Sequence, residues 1–391
     1  MRVNEFTMHL RISVIFLAIA SIILLAPKLR AQEIKQSTAP TAALPSLEAV
    51  KTCMDSRQSA ECLDKLFRDA LKNHSTLDIL QMVQRFEAED PGFRRDCHPV
   101  VHAIGRETYR LKGNIHDSFS ACDQTCHSGC YHGSVERFLR GDNIYAEVDK
   151  HPSTAELKQK AVDACDPKIP FRLRFQCLHG LGHALLFFSR YQLVQSLAVC
   201  DVLPDSWSQS SCYGGVFMEN VFNTTPETRD LSPTDYHYPC NKLAAKYRSE
   251  CYVMQTSRMT EMGLSTDEVF QECGKAGAFR DFCATSIGRD LSNEARLGNT
   301  RATAEKCELA LGSDRLACTR GVVYALIDNT WDGRYALPFC ATFRQDADQD
   351  ACFRLSAQYL QSTFEKSSAE IAKDCASQLS QPSRCVESMA R

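Results

Sequence analysis

Several common signatures are missing from this chain of 391 residues. It has no Cys-x-x-Cys, so its twenty cysteines do not have the two-residue spacing of zinc ribbons. It has no P-loop, dinucleotide fingerprint, Gly-x-Ser-x-Gly elbow or His-Glu-x-x-His, so none of the chemistries those motifs carry is indicated. It lacks an excess of basic charge: the formal net charge is -3, which argues against nucleic acid as a partner. It also lacks a long apolar run near its start. The fifteen residues 12–26 fall short of the roughly twenty a membrane span needs and match the apolar stretch of a signal peptide. Arg2 and Arg11 precede this run, and Leu29-Arg30-Ala31 offers a cleavage site before Gln32. A signal peptide over 1–31 is predicted, with a retained N-terminal membrane anchor as the minor alternative. Its removal takes away four basic and one acidic side chain and moves the charge to -6. The exported chain, periplasmic or secreted, then has no stable membrane span. Pro40 and Pro45 in a Ser/Thr/Ala-rich stretch make 32–46 a flexible leader.

The cysteines that are present form a ladder. Cys53 pairs by spacing with Cys62, Cys165 with Cys177, Cys200 with Cys212, Cys240 with Cys251, Cys273 with Cys283, Cys307 with Cys318, Cys340 with Cys352, and Cys375 with Cys385. From Cys62 through Cys97, Cys130 and onward to Cys385, corresponding cysteines recur every 32 to 39 residues, with one interval of 47. Periods of this size denote stacked helix pairs, each unit burying its core against its neighbours. The fold class is therefore all-α: a right-handed helix-pair solenoid of about ten repeats stapled by disulfides. It forms one elongated domain over 47–391.

The helix signals agree. Ser153 with Glu156, Ser265 with Glu268 and Ser367 with Glu370 are capping-box patterns opening short helices that end near the first cysteine of a pair. After a loop of roughly ten residues the second cysteine is expected to start the next helix, as at Cys318, and Asp332-Gly333 supplies a turn. Each bridge over such a loop adds roughly 2.5 to 3 kcal/mol in the chain-entropy picture. Gly133, Gly180, Gly215 and Gly321 each follow a second cysteine by three residues. Glycine there costs about 1 kcal/mol of helix propensity, and close approach of a neighbouring helix is the expected return.

The alternating cysteines, as in Ala198-Val199-Cys200 with Cys212 and Glu305-Lys306-Cys307 with Cys318, make the chain resemble disulfide-stapled Sel1-like repeat proteins. These are cysteine-rich relatives of tetratricopeptide (TPR) repeats. The resemblance implies a helical solenoid and no particular partner.

Histidine breaks the regularity. Eight of the eleven lie from His98 to His183, and only His237 follows. Cys97 precedes His98 and His102, Cys130 precedes His132 and Glu136, and Cys177 precedes His179 and His183. Each of these pairs has a four-residue offset, which puts both side chains on one helix face, at nearly equivalent places in three successive repeats. Imidazole and carboxylate together suit zinc, iron or copper. The expected ligands are His98, His102, His132, Glu136, His179 and His183, with Glu136 also the candidate general base. Helix axes 8 to 10 Å apart suggest two ions sharing the middle helix, whereas tight curvature would gather the set around one. Glu219 is a weaker candidate, better read as an exposed helical carboxylate. Glu107, Tyr109 and His116 are near the set in sequence only.

Cys97, Cys122, Cys126 and Cys130 fall outside the regular pairs. Cys122 with Cys130 fits the ladder gap and leaves Cys97 with Cys126; thiolate ligation of a metal and thiol–disulfide exchange are the alternatives. Two functions stay open: a metal-dependent hydrolase or oxidoreductase centred on 96–220 with 221–391 as scaffold, and a non-enzymatic solenoid binding a protein or peptide on its concave face.

Overall fold

Each cysteine pair marks a junction between two helices. A computed structural model of the chain describes these junctions over residues 43–141, 153–166, 168–223 and 226–389. The expected signal segment and most of the leader lie outside the described residues. The first half of the chain contains α1 (Leu47–Met54), α2 (Ser59–Ala70), α3 (Thr76–Glu89), α4 (Pro91–Asp96), α5 (His98–Lys112), α6 (Ile115–Ala121), α7 (Thr125–Arg140), α8 (Thr154–Ala164), α9 (Phe171–Phe188), α10 (Leu193–Cys200) and α11 (Ser206–Phe222). The second half contains α12 (Ala245–Glu261), α13 (Thr266–Cys273), α14 (Arg280–Arg296), α15 (Thr300–Glu308), α16 (Ser313–Thr330), α17 (Ala336–Cys340), α18 (Asp346–Phe364), α19 (Ser368–Gln378) and α20 (Ser383–Met389). No strand occurs among the described residues. No helix among them is long and apolar enough to cross a membrane.

Nine helices (α2, α7, α9, α11, α12, α14, α16, α18 and α20) carry the second cysteine of a pair, and α5, with Cys97 at its N-cap, joins them. They pack consecutively into one layer, while the shorter helices form the other. The capping boxes at Ser153, Ser265 and Ser367 are all formed, each side chain accepting from a main-chain N–H three residues on while the glutamate reaches back. A further one at Ser75 uses Asp78. Cys62, Cys283 and Cys385 lie in the first turn of their helices, and the other second cysteines lie further in. Cys177, Cys212, Cys251 and Cys352 sit in the second turn, where the side chain faces the buried interlayer space; the exposed first turn is built from polar and capping residues such as Asp205.

All twenty cysteines are bridged, the eight ladder pairs as spaced, together with Cys122–Cys130 and Cys97–Cys126. The alternatives that required free thiols at Cys97, Cys122, Cys126 and Cys130 therefore fall away.

Three helix pairs cross so closely that only glycine fits. A Cβ on Gly105 of α5 would lie 2.0 Å from the Cys130 carbonyl oxygen, and one on Gly133 of α7 would lie 1.9 Å from that of His102. The same reciprocal contact joins Gly182 of α9 with Gly215 of α11, and Gly288 of α14 with Gly321 of α16. Tight crossings curve the layer strongly. α7 touches α16 and α9 touches α18, each five layer helices further along. The Arg296 guanidinium at the end of α14 donates to the Arg94 carbonyl beside α5, and Trp331 stacks on Tyr131. The solenoid is thus a spiral whose successive turns touch, not an open rod. The apolar core divides at α7: Cys126 and Cys130 pack with the N-terminal cluster, Tyr131, Val135 and Leu139 with the larger C-terminal one.

Candidate metal centre

The three in-register pairs converge at this division. Curvature brings α5, α7 and α9 around one point, where the ring centroids of His98, His102, His132 and His183 are 4.5 to 6.4 Å apart. His179 adjoins them, 5.0 Å from His183 and 5.5 Å from His132. One donor nitrogen from each of His98, His102 and His132 lies within 4.8 Å of the other two. Gly129, Gly133 and Gly180 make this possible, since a Cβ at any of them would run into a cluster histidine's ring or backbone.

Every ring is held by an acceptor on one side. His98 donates through Nδ1 to the Cys126 carbonyl at 2.8 Å. His102 donates through Nδ1 to Glu136 Oε1 at 2.7 Å, and His183 through Nδ1 to Glu219 Oε2 at 3.0 Å. His132 uses Nε2 toward Gln176 Oε1 at 3.2 Å, and His179 bonds the Ser211 main chain. A neutral imidazole has one N–H, so the other nitrogen is left as a bare lone pair. The Nε2 atoms of His98 and His102 face each other 3.0 Å apart. Two acceptors cannot bond each other, so this pair calls for a cation between them, a proton or a metal ion. His132 Nδ1 and His183 Nε2 are buried with no partner.

Behind His102 runs a chain of charges. Both oxygens of Glu136 are engaged, one by His102 and the other by Arg106 Nη1 at 2.8 Å. Arg106 also forks onto the buried Asp64 of α2. Burial alone would push the Glu136 carboxyl up, but His102 and Arg106 outweigh it and hold it well below the usual carboxylate range. Burial opposes the charge on Arg106 as well, and Glu136 and Asp64 override it to raise its pKa. Burial, then the neighbouring rings, keeps His98 and His132 well below the ordinary imidazole value. Burial takes His179 down to about 3. His98, His132 and His179 are therefore neutral at pH 7, as metal ligands must be.

The Cys126 carbonyl is aimed by an unusual backbone. Cys126, His127 and Ser128 all have left-handed φ angles, +47°, +57° and +63°. For residues other than glycine this costs roughly 1–2 kcal/mol each. The bridge from Cys126 to Cys97, the residue before His98, ties both ends of the hydrogen bond to one covalent link. Glu87 lies beside Cys97 and Cys126, but both sulfurs are spent in that bridge and are not ligands.

The expected histidines thus come together, and Glu136 stands behind His102 instead of beside the donor nitrogens. Glu219, read from sequence as an exposed carboxylate, takes the matching place behind His183. Glu107 pairs with Arg68 and Arg110, Tyr109 packs against Phe138, and His116 lies on α6, so these stand apart. Sequence reading missed Asp64, Arg106, Gln176 and the Cys126 carbonyl. Arg106, four residues after His102, carried a helical-spacing signal; Asp64, a repeat away, carried none. No protein-family model, curated protein or solved structure matches the chain.

Proposed function

We propose that this is an exported metalloprotein whose three-histidine centre carries metal-assisted chemistry, hydrolysis with zinc or oxidation with iron or copper. Kinship with Sel1-like repeats remains part of this reading, resting on period and cysteine alternation. Ten bridges with no free cysteine among the described residues fit a chain folded in an oxidising compartment.

The observation that carries the reading is the set of outward-held proton sites. Each imidazole gives its N–H to an acceptor behind it, which leaves bare nitrogens facing inward. Such outer partners fix the tautomer and orientation of metal-bound histidines. A shared proton would satisfy only His98 and His102, whereas His132 and His183 also present bare nitrogens. His98, His102 and His132 would hold the ion, and the curvature that gathers the rings favours one ion over two. An ion there supplies a Lewis acid with a fourth position open to a small ligand. Glu136 orients His102, Arg106 anchors Glu136, and Asp64 anchors Arg106.

The test is elemental analysis by plasma mass spectrometry of untagged, oxidised protein beside a His102→Ala, His132→Ala double variant. One equivalent of zinc, iron or copper that disappears in the variant, with the helical circular dichroism kept, is the expected result. No stoichiometric metal after reconstitution would overturn the reading.

A further inference from the structure

At one end of the histidine cluster, among the described residues, hydrogen-bond acceptors are used up and donors are left over. Glu136 gives both oxygens to His102 and Arg106. Glu219 gives one oxygen to His183 and the other to Asn223 Nδ2 at 3.2 Å. One helical turn beyond Glu136 on α7 is Arg140. Its guanidinium lies 3.8 Å from the ring centre of Phe187 and 5.6 Å from that of Phe188. Stacking uses the face of a guanidinium and leaves its N–H edge free. No carboxylate among the described residues lies within ion-pair distance of that edge, although Arg140 is largely enclosed and burial lowers its pKa.

A second free donor stands next to it. Arg190 and Tyr191, both left-handed at φ +56° and +59°, turn the chain after α9 and bring the Tyr191 ring to 5.9 Å from Phe187. The Asn223 amide is placed as a donor toward the Tyr191 oxygen, and no acceptor for the Tyr191 O–H occurs among the described residues. Arg140, Tyr191, Glu136 and Glu219 are close enough to act on one another electrostatically.

Resting on the metal-centre reading, we propose that this end of the cluster binds the oxyanion of a substrate through the Arg140 N–H edge and the Tyr191 O–H. The substrate class is a small molecule carrying a phosphoryl or carboxylate group, the acceptor-rich partners that a planar guanidinium takes bidentately. Phe187 holds the guanidinium rigid, and Asn223 orients the phenol.

Isothermal titration of inorganic phosphate, and separately of acetate, into zinc-loaded and metal-free protein tests this. Phosphate or acetate should bind, the better of the two identifying the group. Arg140→Gln should weaken it at least about tenfold, the loss of a charge-assisted bidentate contact, Arg140→Lys less, and Tyr191→Phe about threefold, the loss of one neutral hydrogen bond. All three variants should keep their zinc. Absence of binding of either anion to zinc-loaded protein, or equal binding to Arg140→Gln, would overturn the proposal and leave the metal centre standing. If zinc fails to load, Arg140-dependent binding to metal-free protein upholds the anion site while the metal reading falls, and its absence removes both.

Discussion

The crossing of α5 with α7 and the crossing of α14 with α16 are the same backbone device used twice. Gly105 and Gly133 make the first, Gly288 and Gly321 the second, and in both each glycine meets a carbonyl of the partner helix. Counted from those glycines, His102 corresponds to Thr285, Arg106 to Arg289, His132 to Arg320 and Glu136 to Tyr324. One crossing presents nitrogen ligands with a carboxylate behind them. The other presents a hydroxyl, cations and Tyr324, whose ring stacks on Tyr359 at 3.8 Å while Tyr359 donates to Asp328. The backbone geometry is therefore permissive, and the side chains at four positions decide whether a crossing becomes a candidate site.

The sharpest way to separate scaffold from site is to block both crossings. Gly133→Ala and Gly321→Ala would each place a Cβ 1.9 Å from a carbonyl oxygen. Each should cost about 3 kcal/mol, the upper range for overpacking, measured by denaturant unfolding. Bound metal should fall in Gly133→Ala and stay unchanged in Gly321→Ala; equal metal loss in both would mean that the crossing geometry, and not the histidines, governs the centre.

A smaller effect is expected from Glu136→Gln. His102 and Arg106 would compete for one remaining oxygen, lowering stability by about 1–2 kcal/mol and metal affinity by roughly 10- to 100-fold, as for other outer partners of ligating histidines. Competition titration with a chelating dye measures the second. An affinity within a factor of two of wild type would remove Glu136 from the site.

The two regions should also answer pH in opposite directions. Burial raises the Asp328 pKa to about 7, with the Tyr359 hydrogen bond opposing. The folded state then holds a proton that the unfolded chain releases near the ordinary carboxylate value, and stability falls as pH rises through that window. Asp328→Asn should raise the melting temperature by about 3–5 °C at pH 8 and leave it unchanged at pH 4. An increase of the same size at both pH values would refute the titration argument.

Beside the histidines the sign reverses. Burial and the Arg296 charge take His127 down to about 3, so the unfolded state binds the extra proton from about pH 6.5 downward. Stability of metal-free protein should decline from pH 6.5 toward pH 3, with a slightly shallower slope in His127→Gln. This is the smallest of the four effects, and calorimetric scans across that range would show it.

Local patterns explain what could be read before folding. Ser265 with Glu268 is a helix start wherever it occurs, because the capping bonds span only three residues. The cysteine ladder is legible because a bridge across a junction of 8 to 12 residues repeats along the chain, with Cys97–Cys126 as the exception. The offsets His98–His102 and His179–His183 put two rings on one face by helix geometry alone. The start of α16 at Ser313 instead of Cys318 was not legible, because it depends on where the buried cysteine must point.

Sequence by itself determined an all-helical repeat, its eight regular disulfide staples, and a helix face for each histidine pair, since all of these follow from spacings along one chain. Tertiary structure decided that the spiral closes after five repeats, that five imidazoles meet at one point, and that Asp64 supports the site from the first repeat. It also decided that Arg140 and Tyr191 meet no carboxylate partner among the described residues. The physical reason is that crossing distance and curvature depend on contacts between helices, such as Gly133 against the His102 carbonyl, and no spacing within a single helix encodes where its neighbour's side chains will arrive.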